Sequence, residues 1–167
     1  MKKFSLIFSA LALICFQTTG AEPLKYDGIW LLNRDKSQGL TGGLAGAEIT
    51  LVVSQDSKRI HVEQKIGIRG RLQPSQELIW NLDGSKTTAE VSRPMAGTMN
   101  LTARWIEAGK ILELNSSIEG TDQGKEVAVS TRELWQLLNH GKSLKITRTR
   151  NSPQGRQSFT LFFDKQN

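Results

Sequence analysis

Arg148 and Arg150 stand on the same alternation as Leu144 and Ile146, in a stretch that reads as one extended strand. Side chains in a strand point to opposite faces in turn, so regular pleating predicts that both guanidinium groups share the interior face with the two apolar residues. A buried cation needs a partner. Three stay open: an indole face such as that of Trp30, the Glu133 carboxylate or a backbone carbonyl, or the carboxylate of a bound lipid. The bland alternative is a strand end that protrudes into water with both arginines solvated.

Other chemistry is weakly signalled. His61 and Glu63 share a strand face and could meet one metal, but His140, the second imidazole of the chain, falls in a turn, and a solvated pair is the simpler reading. No Gly-x-Ser-x-Gly elbow and no His-Glu-x-x-His helix occurs, and a thiol nucleophile is lacking once the leader is set aside. Glu113 and Glu133 could pair for acid-base work, although carboxylates on a sheet are more often structural. The reading is therefore non-enzymatic, with no cofactor and no metal. The Gly-rich stretch Gly39-Leu40-Thr41-Gly42-Gly43-Leu44-Ala45-Gly46 lacks the following helix and the Gly-Lys-Ser/Thr ending of a phosphate cradle. Gly39, Gly42, Gly43 and Gly46 suit either a mobile lid or a plain connector.

The N-terminus reads as a processing segment. Met1-Lys2-Lys3 is basic, Phe4 to Phe16 is apolar apart from serines, and Thr18-Thr19-Gly20-Ala21 offers small residues for cleavage. Residues 1–20 are assigned as a signal peptide cut near 20/21 or 21/22, which places the mature chain in the periplasm or outside the cell. No later stretch approaches the roughly 18 apolar residues that a membrane helix needs. Cys15 could mark a lipoprotein, but Ile14 is bulky for the position before an acylated Cys, so Cys15 is assigned to the discarded leader. The mature chain would then hold no disulfide and must be stabilised by its core. About 146 residues suffice, since a chain of that size buries roughly two thirds of its unfolded surface. Loss of Lys2 and Lys3 lowers the formal charge from +6 by two, leaving a basic chain without the dense Lys/Arg blocks of a nucleic-acid arm.

The elements that must carry these residues are strands. Ile49, Leu51 and Val53 alternate with Thr50, Val52 and Ser54, and Ile60, Val62, Gln64, Ile66 and Ile68 fall on one face after a turn at Gln55-Asp56-Ser57-Lys58. Leu78-Trp80-Leu82 runs into Asp83-Gly84, a hairpin signal. Met99, Leu101, Ala103 and Trp105 return, after Ala108-Gly109-Lys110, through Leu112, Leu114, Ser116 and Ile118. Val127, Val129, Thr131 and Glu133 share the next face, where Leu134 and Leu138 break parity and predict a bulge near Trp135. Leu144 to Arg150 and Phe159-Leu161-Phe163 complete the series. The reading is all-β: a single antiparallel up-and-down barrel of about 8–10 strands over residues 24–165, closed so that no edge is left open.

Tyr26-Asp27-Gly28-Ile29-Trp30-Leu31-Leu32-Asn33-Arg34-Asp35-Lys36-Ser37 resembles the Gly-x-Trp-x-Leu-Asn-x-x-Lys-Ser opening of small exported bacterial lipocalin-like proteins, in the calycin group with the lipocalins and fatty-acid-binding proteins. The resemblance implies that Gly28 and Trp30 plug the closed end of the barrel, often beneath a late-strand Arg, and that the open end admits an apolar ligand. It also raises the reading in which Arg148 and Arg150 hold a carboxylate. With Gln64, Thr131, Glu133 and Trp105 on the predicted inner faces, these two form the candidate ligand-contacting set. The implied function is carriage or sensing of a small hydrophobic or amphiphilic molecule, neutral or anionic, with no nucleic acid involved. Its rival is an interaction or envelope module whose barrel is filled by Trp80, Trp105, Phe159 and Phe163, with any protein partner unspecified.

Overall fold

The computed structural model describes residues 24–92, 95–122 and 125–166. The signal-peptide and Cys15 expectations lie outside them. Eleven strands follow in chain order: β1 (Gly28–Gln38), β2 (Ala47–Gln55), β3 (Arg59–Ile68), β4 (Arg71–Leu72), β5 (Gln76–Asn81), β6 (Thr87–Val91), β7 (Gly97–Ile106), β8 (Ile111–Asp122), β9 (Lys125–Leu138), β10 (Ser143–Ser152) and β11 (Gly155–Lys165). Every pairing is antiparallel, and the ladder order is β4-β3-β2-β1-β11-β10-β9-β8-β7-β6, with β5 also on β3. β1 joins β11, so the first and last strands lie side by side. One face of the curled sheet encloses a single apolar cluster from Trp30 and Leu51 to Leu161 and Phe163. Among the described residues no helix is long and apolar enough to cross a membrane.

Two local expectations are corrected. Asp83-Gly84 does turn the chain, but β5 stays on β3 and shares no ladder with β6. The Asp83 carboxylate accepts from Ser85 N at 2.8 Å, and Leu82 N donates to Lys58 O at 2.7 Å, which holds the end of β5 toward β3. Thr87 Oγ1 to Ile79 O at 2.7 Å bridges β5 and β6 instead, and Trp80 Nε1 donates to Asn115 O of β8 at 3.1 Å. The bulge near Trp135 is also absent. β9 pairs with β8 and β10 in unbroken register, and Leu134 and Leu138 simply face outward, half-buried, as single apolar side chains often do.

The irregularity lies in β1, whose register against β11 shifts between Asn33 and Gln38. Polar side chains of the opening motif repair the interrupted ladder. Ser37 Oγ donates to Asn33 O at 2.7 Å and accepts from Phe162 N at 3.0 Å, replacing a backbone partner. Asn33 Oδ1 accepts from Lys36 N at 3.2 Å, while its Nδ2 donates to Asp164 at 2.7 Å. The spacing Asn-x-x-Lys-Ser thus serves a bulge that bends β1 away from the closed end.

Candidate functional site

The strands alternate between two ends, and they treat them differently. At the end where β1 begins, Trp30 is fully buried and donates its indole N–H to Tyr26 O at 2.9 Å. Tyr26, also fully buried, donates its hydroxyl to Trp135 O at 2.7 Å, and burial pushes its phenol pKa well up. Its ring stacks on Trp105 at 6.1 Å and meets Trp135 edge-on at 5.7 Å. Gly28 and Trp30, the residues expected to plug the barrel, both stand at this end, Trp30 wholly buried. Gly28 has φ +137°, and a Cβ there would lie 2.5 Å from Lys165 Cε. The cation over Trp30 is Lys165, with Nζ 5.2 Å from the ring centroid; neither Arg148 nor Arg150 reaches it.

Toward the other end the side chains stop short of filling the barrel and leave a cavity of about 480 Å³. Its apolar wall comes from Ile49, Leu51, Val62, Leu78, Trp80, Met99, Leu114, Val129 and Phe159. Gln64, Thr131, Glu133, Arg148 and Arg150 all line it, five of the six ligand-contacting candidates brought together by strand parity. Trp105 does not. It pairs with Leu112 near the closed end of β7 and packs on Tyr26, because its strand has by then passed below the cavity. The filled-barrel arrangement fails for a related reason: Trp80 and Phe159 form walls, while Phe163 is buried in the core.

Within the cavity Glu133 is doubly engaged. Arg148 Nε donates to its Oε1 at 2.6 Å, and Trp135 Nε1 donates to its Oε2 at 2.6 Å. The Arg148 and Glu133 side chains are only 20% and 15% exposed, so this is a largely desolvated, charge-assisted pair. Among the described residues the Arg150 side chain makes no hydrogen bond or ion pair. It stands two residues nearer the open end, between Thr131 on β9 and Gln157 on β11.

The Gly-rich segment closes one side of the mouth. Gly39, at φ +82°, lies against β11 so tightly that a Cβ would stand 2.5 Å from Ser158 O. Gly42–Leu44, which includes Gly43, forms one 3-10 turn, and Gly46 leads into β2. Thr41 and Leu44 face the cavity. Sequence reading missed Gln76, Gln157 and Asn115 in the lining. Parity with Leu78 would have found Gln76, and parity with Phe159 would have found Gln157.

The remaining candidates fall outside this site. His61 Nε2 sits 3.5 Å from Glu77, Glu63 pairs with Lys65 at 3.2 Å, and His140 occupies the exposed turn after β9 with φ +55°. Among the described residues no three His, Cys, Asp or Glu side chains gather to hold a metal. Glu113 and Glu133 face opposite sides of the sheet, since Leu114 pairs with Glu133 and Glu113 with Leu134. Glu113, 3% exposed, accepts from Arg104 Nε at 2.9 Å, Arg132 Nε at 2.9 Å and Asn115 Nδ2 at 3.2 Å. Burial alone would raise its pKa, but these donors outweigh burial and hold it at about 2.

No family model and no curated protein matches the sequence. Among solved structures the chain is similar to zebrafish ileal bile acid-binding protein complexed with cholic acid. The TM-score is 0.53 at 11% identity, over 84% of this chain and 98% of that one. Antiparallel up-and-down topology, the pairing of β1 with β11 and this likeness define the fold as a calycin-like β-barrel of the lipocalin and fatty-acid-binding-protein kind, whose ladder stays open between β5 and β6 where an edge-free closure was expected. At that identity the likeness concerns the fold.

Proposed function

We propose that the barrel is a non-enzymatic binding protein for a small apolar or amphiphilic, lipid-like molecule. The observation that carries this reading is the cavity of about 480 Å³, within the size range of small-molecule sites, with apolar walls and a few clustered polar groups. The structural neighbour supports it, since that protein is described as a bile acid-binding protein. Export completes the proposal: the basic and apolar start of the chain is read as a signal whose removal through about Gly20 or Ala21 leaves the barrel in the periplasm or outside the cell.

Native mass spectrometry of protein purified from its own host, followed by solvent extraction, tests both parts. A chain lacking Cys15 and carrying an extractable small apolar adduct is the expected result. A protein that carries no adduct and displaces no fluorescent fatty acid after delipidation would sink the binding reading. A diacylglycerol group on Cys15 would replace the free mature form with a lipid-anchored one.

A further inference from the structure

The neutral polar groups of the cavity do not all lie at its mouth. β3 runs from the closed end toward the open one through Val62, Gln64 and Ile66, and all three line the cavity, so Gln64 has an apolar side chain on either side of it. The row beyond it pairs Ile66 with Ile49, which is itself buried. Across the barrel the pattern recurs. Ser116 and Thr131 stand opposite each other on β8 and β9, and the next pair toward the open end is Ile118 and Val129, both buried. Polar residues set within an apolar inner face break the pattern that packing alone would favour, and such breaks are expected at functional sites.

Gln76 stands directly opposite Gln64 on the β3-β5 ladder, so two carboxamides project side by side from one wall. Gln64, Gln76, Ser116 and Thr131 make no side-chain hydrogen bond among the described residues. Covering such groups with hydrocarbon costs free energy that only a matching donor or acceptor returns. We propose that the cavity takes an elongated neutral lipid whose hydrogen-bonding group lies within its length, a secondary amide or secondary alcohol with an apolar chain on each side, and that Gln64 and Gln76 hold that group. This rests on the reading of the cavity as a ligand site. A carboxamide both donates and accepts, so one glutamine can donate to the oxygen of the ligand while the other accepts its N–H or O–H. One apolar arm then lies against Leu78 and Trp80, and the other lies under Ile49 and Ile66.

The test compares two isomers as displacers of a fluorescent fatty-acid probe: N-hexylhexanamide, with its amide at the centre, and N-methylundecanamide, with the same amide near one end. Each protein is read as the ratio of its two affinities, so that a general loss of stability cancels. Wild-type protein should prefer the central amide about tenfold. Gln64→Met combined with Gln76→Met keeps the bulk of both side chains, removes their polar atoms and should bring the ratio to about one. Thr131→Val, a shape-preserving change on the facing wall, should lower the ratio no more than about threefold, because the glutamines remain. A double glutamine variant that keeps the preference, or a Thr131→Val protein that loses it entirely, would overturn the assignment to Gln64 and Gln76. Equal wild-type affinities for the two amides would overturn the internal polar site while leaving the carrier reading intact, whereas a wild type that binds neither these amides nor the probe overturns both.

Discussion

The closed and open ends of this barrel treat their polar groups in opposite ways. Around Trp30 the aromatic side chains bury their surface and satisfy their polar atoms within the chain, Trp30 on Tyr26 O and Tyr26 on Trp135 O. Around Arg150, polar side chains line a space that the chain does not fill, and Gln64, Gln76, Thr131 and Gln157 make no side-chain hydrogen bond among the described residues. A group satisfied internally stabilises the fold. One left facing a cavity is available to water or to a ligand. Stability and recognition are thereby separated along the barrel axis, and the Glu133 carboxylate, held by Arg148 on one oxygen and Trp135 on the other, marks where one regime passes into the next.

The hardest strike at this division is Trp30→Ala, expected to cost about 3–5 kcal/mol in denaturant unfolding, as for other large aromatics removed from a core. The ratio of the two amide affinities in the surviving folded protein should not move. A loss below about 1 kcal/mol would mean that the closed end is not where the barrel is held together.

Glu113 sharpens the comparison from the outer wall. Its pKa is depressed from 4.5 to about 2, so its contribution is fully present above the ordinary carboxylate value and is lost as pH falls through about 2. Glu113→Gln should remove about 2 kcal/mol near neutral pH, a figure reduced for the exposure of Arg104 and Arg132, and should flatten the acid limb of the stability curve. If acid titrations of wild type and variant run parallel, the Arg104-Glu113-Arg132 cluster stabilises nothing.

Tyr26 is the sole tyrosine, which makes the closed end visible by ultraviolet absorbance. Burial raises its pKa, so the tyrosinate band should appear only above the ordinary value of 10.0, and the group's stabilising contribution should be lost as pH rises beyond that value. Tyr26→Phe should cost about 1 kcal/mol through the lost bond to Trp135 O. Ionisation at the ordinary pH would place the hydroxyl in water.

The smallest effect is expected at the mouth. Leu44→Ser should change stability by less than about 1 kcal/mol while weakening ligand binding by about fivefold, since it removes apolar contact from the rim. A variant that loses stability but keeps its affinity would assign the Gly-rich segment to the fold and not to the site.

Much of the architecture was legible in sequence because strand parity is a local property. The alternation of Ile49, Leu51 and Val53, or of Met99, Leu101 and Ala103, names the inner face before any partner strand is known, and the observed burial follows it. The same logic placed Gln64, Thr131, Glu133, Arg148 and Arg150 inside, and the Gly-x-Trp opening pointed to the buried Trp30. Axial depth and pairing were not legible, because they depend on how each strand is staggered against its neighbours. Stagger is why Trp105 joins the plug while Trp80 lines the cavity, and why Asp83-Gly84 turns between strands that share no ladder. It also decides that Lys165, and not a late-strand arginine, lies over Trp30. The sequence by itself determined that Arg148 and Arg150 face inward; only the tertiary structure set Glu133 directly across from Arg148 and neutral residues across from Arg150, so that two arginines on one alternation differ in charge compensation.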